Sequence, residues 1–231
     1  MSTKEEDQPA TAQLRETLVH VAREMNRKGL NQGRSGNASA RFGNNAMLIT
    51  ASGCHFDRIG PAEIVKTDLD GNWTGPLKPS SEYSFHAAIY RQRPDARAVI
   101  HVHSPWATTL ACMRRAIPAF HYMVAVAGGR DIPCTPYATF GTDALAGHVA
   151  QALSSRDACL MANHGQVALG DSPEAALELA LEVELLARCY GQTLTLGEPV
   201  LLDDAEMDEV LERLRGYRRN AQANESPPAG D

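Results

Sequence analysis

The sequence predicts one α/β domain with helices packed on a single mixed sheet, and three observations carry that expectation. Its 231 residues and 25.0 kDa suit one domain. Hydrophobic residues make up 43% and charged residues 22%, which is enough apolar material for a core and unlike a mostly disordered chain. Short strand-like runs mix irregularly with segments of helical periodicity, and no long linker, repeat or low-complexity tract breaks them.

In chain order, Leu14, Leu18, Val21 and Met25 recur at helical spacing, and Gly29 ends that helix. The loop Gly33–Asn37 follows, then two β-like runs, Ala38–Phe42 and Met47–Ala51, joined as a hairpin by Gly43-Asn44-Asn45. Pro79-Ser80-Ser81 opens a helix carrying Glu82, Phe85, His86 and Ile89, with a serine as its cap and Pro94 as its stop. Ala98–His103 reads as a strand, and Thr142–Leu153 as a helix with Leu145, Val149 and Leu153 on one face. Cys159–Ala162 and Val167–Leu169 are strands flanking Asn163-His164-Gly165. Ser172-Pro173-Glu174 starts a long helix to about Tyr190, and a last one covers roughly 204–215. The ordered domain is expected over 11–218, with polar or Pro-rich, flexible ends at 1–10 and 219–231.

Composition also excludes function classes. A net charge of -6 and a pI near 5.8 leave no basic face for general nucleic-acid binding. No apolar run approaches the ~20 residues of a membrane helix, and the acidic, polar start is unlike a secretory signal, so a cytoplasmic protein is expected. Five scattered cysteines without a C-x-x-C pair read as free thiols rather than a disulfide frame or a thiolate zinc knuckle.

The histidines carry the sharpest chemical signal. His101 and His103 are two apart in a strand, so they share a face at ~6–7 Å and can converge on one ion. Val99 lies on that face, and Ala98, Ile100 and Val102 point the other way. Imidazole pairs suit zinc, which takes at least three ligands. An H-x-H pair alone is better explained by ordinary polar histidines. His164, at a turn where Gly165 allows a tight bend, can aim at a neighbouring strand or simply face water. Glu82 in a first helical turn either answers the helix dipole or acts as an acid/base beside a metal. Ser80 and Ser81 are caps or anion donors, and His86, one turn on, suggests packing or support of the site. Gly33–Asn37 and Thr50–Gly53 offer backbone N–H groups and small polar side chains for a phosphate, and Arg34 adds a fork-shaped cationic donor.

Taken together, G-L-N-Q-G-x-x-G-N (29–37), L-I-T-x-S-G (48–53), P-S-S-E (79–82), H-V-H (101–103) and N-H-G (163–165) resemble the class II aldolase/adducin family. Within it, His121–Gly129 and Ile132–Thr142 are similar to the L-fuculose-phosphate aldolases, and the likeness spans about Leu14 to Tyr217. The resemblance implies a three-layer α/β/α fold around a largely antiparallel sheet. It implies Zn²⁺ on His101, His103 and His164, with Glu82 as acid/base able to approach the metal. Phosphate would be held by Gly36, Asn37, Ser52, Gly53, Ser80 and Ser81. Phe140 would wall the aldehyde site, and Tyr122 and Tyr217 would reach the reaction centre near subunit boundaries of a homotetramer. The implied reaction splits L-fuculose 1-phosphate, or a close ketose 1-phosphate, into dihydroxyacetone phosphate and L-lactaldehyde or a related aldehyde. Epimerisation, dehydration or decarboxylation of sugar phosphates stays open on the same site, as does a non-catalytic, adducin-like interaction module. Arg34-Ser35 departs from the smaller, uncharged pair usual there, which points either to stronger phosphate binding or to an added carboxylate on the substrate.

Overall fold

The computed structural model describes residues 9–225, with side chains through residue 216. Helix α1 (Pro9–Arg27) leads into β1 (Asn37–Phe42), β2 (Ala46–Thr50) and β3 (Ile64–Asp68), then α2 (Tyr83–Gln92), β4 (Ala98–Val102) and α3 (Pro105–Cys112). Next come β5 (Cys134–Thr135), α4 (Asp143–Ala152), β6 (Ala158–Met161), β7 (Gly165–Gly170), α5 (Pro173–Leu196) and α6 (Asp204–Glu225). The strands form one seven-stranded sheet in the order β3-β2-β1-β4-β7-β6-β5. Every pairing is antiparallel except β5 with β6.

Helices cover both faces of this sheet, so its central strands are buried on both sides. β4 shows why: Ala98, Ile100 and Val102 pack with Leu18 of α1, Leu110 of α3 and Ala180 of α5. Val99 packs the other way, with Phe85 and Ile89 of α2 and Leu145 and Val149 of α4. The alternation read from the sequence therefore sorts β4 between two helical layers rather than between core and water. Each Leu, Ile or Phe so buried contributes ~1.5–3 kcal/mol.

Local signals set several boundaries. Thr142 and Ser172 cap α4 and α5, accepting from Leu145 N–H at 3.3 Å and Ala175 N–H at 3.1 Å. α5 runs past Tyr190 through Gly191 to Leu196 and ends at Gly197. α1 starts at Pro9, inside the segment expected to be unstructured. The α6 backbone stays helical to Glu225, beyond the expected end, where Ala, Gln and Glu are compatible with helix. β3, α3 and β5 were not expected. β3 is a short edge strand whose Lys66 and Asp68 mask its apolar residues. α3 lies between Pro105 and Cys112 with only eight residues of pattern, and β5 has two.

The five cysteines are free, as expected, and burial pushes the Cys54 thiol up to about 11, away from thiolate chemistry. Among the described residues, no helix is long and apolar enough to cross a membrane.

Candidate active site

One cleft of about 330 Å³ gathers most of the residues expected to carry chemistry: Gly36, Asn37, Ser52, Gly53, Ser80, Ser81, Glu82, His103, Phe140 and His164. Sheet register builds its floor. His101 on β4 faces Asn37 on β1 and Val167 on β7. His103 follows the end of β4, and His164 sits in the turn between β6 and β7. The nitrogen ligand atoms of His101, His103 and His164 lie within 4.8 Å of one another.

Hydrogen bonds aim these rings. His101 Nδ1–H donates to the Gln166 carbonyl at 2.9 Å, which leaves Nε2 as the lone pair at the centre. The His103 main-chain N–H donates to Asn31 Oδ1 at 2.9 Å, and this buried asparagine pins the residue just past the strand. Loss of hydration, together with the crowding of His101 and His164, pushes His103 down to about 3. The same desolvation and His101 push His164 down to about 4. Both are therefore neutral near pH 7 and need lose no proton to bind a cation.

Two positions in this region admit only glycine. Gly36 has φ +76, and a Cβ there would lie 2.4 Å from Asn31 Nδ2 and 2.5 Å from the His101 carbonyl. Gly165 was expected to let the turn bend, but the left-handed residue of that turn is Asn163, at φ 55. Gly165 instead permits close approach, since a Cβ would sit 2.4 Å from the Val102 carbonyl and 3.0 Å from the His103 ring. Gly165→Ala is accordingly expected to cost ~1–3 kcal/mol by overpacking. A thermal melt would read this as a fall of several degrees, and an unchanged melt would mean that β7 gives way freely.

Glu82 is placed differently from the sequence expectation. It is the residue before α2 rather than in its first turn, and its side chain caps nothing. Ser80 does not cap α2 either: its Oγ accepts from Glu82 N–H at 3.3 Å, and its carbonyl accepts from Tyr83 N–H at 3.1 Å. This tight turn swings the Glu82 carboxylate away from the helix and into the histidines. Oε2 lies 3.3 Å from His101 Nε2 and accepts from Asn37 Nδ2 at 3.0 Å, while Oε1 lies 3.2 Å from His164 Nε2. Burial pushes the Glu82 pKa up. His101, then His164 and the Asn37 amide, outweigh burial and hold the carboxyl well below the usual carboxylate range.

The donor set fits a tetrahedral cation. Ligands at ~2.0–2.1 Å in a tetrahedron stand about 3.3 Å apart. The His101 and His103 Nε2 atoms are 3.0 Å apart, and the Glu82 oxygens lie 3.2–3.3 Å from His101 and His164. His101, His103 and His164 could hold a divalent metal, with the Glu82 carboxylate beside His101 and His164.

The cleft also holds the loop residues expected to bind phosphate, though not all of their N–H groups are free. The Ser52 and Ser80 main-chain N–H groups are consumed, donating to Lys78 and Thr50 carbonyls at 3.0 Å each, and so tie the two loops together. Among the described residues, the N–H groups of Gly36, Gly53 and Ser81 have no acceptor, and the Ser52 and Ser81 side chains line the same space. Arg34 lines the cleft and ties the loops together, donating from Nη1 to the Gly53 carbonyl at 3.0 Å.

Tyr137 and Phe140 line the outer cleft at 52% and 65% exposure, which makes an apolar, open rim. Tyr137 had no sequence signal beyond its position before Phe140. Asn31 and Gln166 were also missed, because only their burial and partners reveal their support of the histidines. Tyr122 does not line its own chain's cleft. It is half exposed on the short 3₁₀ segment Tyr122–Ala127, stacked on His121. The side chain of Tyr217 lies outside the described residues.

Comparison with known proteins shows the family. Residues 16–191 match the profile of the Class II Aldolase and Adducin N-terminal domain. A Rhodospirillum rubrum 5-methylthioribulose-1-phosphate/5-deoxyribulose-1-phosphate aldolase is 50% identical over 216 residues, covering 94% of this chain and 97% of the relative. An Escherichia coli K12 L-fuculose phosphate aldolase is 46% identical over 201 residues, covering 87% and 93%. A solved L-fuculose 1-phosphate aldolase superposes with a TM-score of 0.85 at 38% identity, covering 88% of this chain and 97% of that one. With fold and sequence similar over most of its length, the chain belongs to the class II aldolase and adducin family.

Proposed function

We propose that this class II aldolase is zinc-dependent and splits a ketose 1-phosphate with an apolar far end into dihydroxyacetone phosphate and a short aldehyde. The observation that carries the reading is one cleft joining three elements: an anion pocket of free N–H groups, the His101–His103–His164–Glu82 cluster, and the apolar rim of Tyr137 and Phe140. Phosphate, reacting carbons and apolar tail of one substrate would fall on them in that order. The relatives named for L-fuculose phosphate and for 5-methylthio- or 5-deoxyribulose 1-phosphate share this pattern, because each sugar ends in a methyl or methylthio group.

Zinc in the cluster would act as a Lewis acid, offsetting the negative charge that collects on the substrate's ketone side as the C3–C4 bond breaks. The remaining roles belong to the chain. The Gly36, Gly53 and Ser81 N–H groups, with the Ser52 and Ser81 hydroxyls, hold the phosphate and keep the reacting carbons in register. Asn37 and Ser80 act less directly, one holding the Glu82 carboxylate and the other shaping the turn that presents it. Glu82, ionised and buried, carries the proton to and from C3 of the three-carbon fragment. The C4 hydroxyl must lose its proton as its oxygen becomes the aldehyde carbonyl. Tyr122 of a neighbouring copy in a homotetramer would relay it, its phenol oxygen accepting this proton as it passes its own to solvent, since that phenol stands away from its own cleft. The resemblance gives Tyr217 a part at the same reaction centre.

A coupled assay for dihydroxyacetone phosphate on L-fuculose, 5-deoxyribulose and 5-methylthioribulose 1-phosphates tests this. Release of the three-carbon phosphate from at least one is expected. An unbroken carbon skeleton with changed stereochemistry would mean an epimerase, and a metal-free protein inert on all three would favour an interaction module.

A further inference from the structure

Behind Glu82 and Asn37 runs a line of buried polar side chains, His86, Ser39 and Tyr90, that the proposed mechanism leaves unused. Asn37 Oδ1 lies 2.5 Å from His86 Nε2, His86 Nδ1 lies 2.7 Å from Ser39 Oγ, and Ser39 Oγ lies 2.8 Å from Tyr90 Oη. Asn37 is 2% exposed, and Ser39, His86 and Tyr90 are at most 1% exposed. They come from two elements: Asn37 and Ser39 are alternate residues on one face of β1, and His86 and Tyr90 are one turn apart on α2. Phe85 stacks on the His86 ring at 4.5 Å and fixes its plane.

The chain can be connected in only one direction. The carboxylate accepts hydrogen bonds, so Asn37 must turn its NH₂ toward Glu82 and its carbonyl oxygen toward His86. That oxygen requires His86 to carry its proton on Nε2. His86 Nδ1 is then an acceptor and takes the Ser39 hydroxyl proton, which leaves Ser39 Oγ to accept from Tyr90. With His86 protonated on Nδ1 instead, Asn37 would have to flip and present its carbonyl oxygen to the carboxylate. Donors thus point one way from Tyr90 to Glu82, each bond polarising the next and the last one assisted by charge.

We propose that His86 is a positioning residue for the aldolase reaction. Held as the Nε2–H tautomer by Ser39 and Tyr90, it locks the Asn37 carboxamide and so fixes the direction of the Glu82 carboxylate. The assignment rests on Glu82 being the group that transfers the proton.

Long-range ¹H–¹⁵N spectra of the imidazoles in the zinc-loaded protein should find His86 protonated on Nε2 alone, whereas Nδ1–H or a doubly protonated ring would overturn the proposal. The spectra need no substrate, so a correct tautomer in a protein that splits no ketose 1-phosphate would refute the functional reading only. Kinetics supply the second arm. His86→Gln keeps a donor near Nε2 and should hold kcat within about threefold. His86→Asn keeps only the Nδ1 side and should lower kcat ~10–100-fold, with KM within about twofold and zinc content unchanged. Equal losses in the two variants, or a loss shared between kcat and KM, would reduce His86 to packing. Should either variant fail to fold, Ser39→Ala takes its place, with a mixed tautomer of His86 and a lowered kcat expected, and a retained Nε2–H signal with unchanged kcat overturning the proposal.

Discussion

Stripping the divalent metal is expected to abolish carbon–carbon cleavage, and adding zinc back is expected to restore it. His101, His103 and His164 converge at ligand spacing, and among the described residues no lysine lines the cleft to take up the charge as a Schiff base. A Lewis acid contributes several kcal/mol to such a step, and each ~1.4 kcal/mol is tenfold, so a residual rate below ~0.1% is the expected outcome. Metal analysis and the dihydroxyacetone phosphate assay on the same samples make the comparison. The metal should also raise the melting temperature, because it binds folded and not unfolded chains at this site. His164→Ala should reproduce both losses, since its ring comes from a turn and its removal leaves the strand pair intact. Turnover that survives at negligible metal content would remove the basis of the proposed chemistry.

Glu82→Gln should lower kcat ~10²–10⁴-fold, the usual worth of a positioned general acid/base. The variant is nearly isosteric and can still offer an oxygen to Asn37, whose bond to Glu82 is 3.0 Å. It loses the charge that faces His101 and His164 at 3.3 and 3.2 Å. KM should move little, because two of the three free N–H groups that would hold phosphate, those of Gly36 and Gly53, lie on other loops. Exchange of solvent hydrogen into dihydroxyacetone phosphate isolates the proton transfer from bond cleavage and should fall in parallel. Undiminished exchange in a zinc-loaded variant would show that another group carries the proton.

Much of this site could be read from sequence, because the signals are local. The H-x-H pair on an alternating run assigns His101 and His103 to one face wherever that strand goes, and β4 keeps that alternation. Capping and periodicity place α4 and α5 without reference to the rest of the fold. The same local reasoning went astray at Glu82. A carboxylate after Pro-Ser-Ser fits a first helical turn, but Tyr83 N–H bonds to the Ser80 carbonyl and postpones the helix by one residue. β3 and β5 fail for the opposite reason, having too few residues to express a period.

By itself the amino-acid order determined which faces are apolar, where most helices start, and which residue types could bind a cation or an anion. Only tertiary structure decided that Asn37 lies across from His101, that a β6–β7 turn delivers His164 to Glu82, and that Ser52 and Ser80 spend their N–H groups on neighbouring loops. The physical reason is separation along the chain. Periodicity acts over one or two turns, whereas strand register and loop contact join residues dozens of positions apart, and no local pattern encodes the direction in which the hydrogen bonds from Tyr90 to Glu82 run.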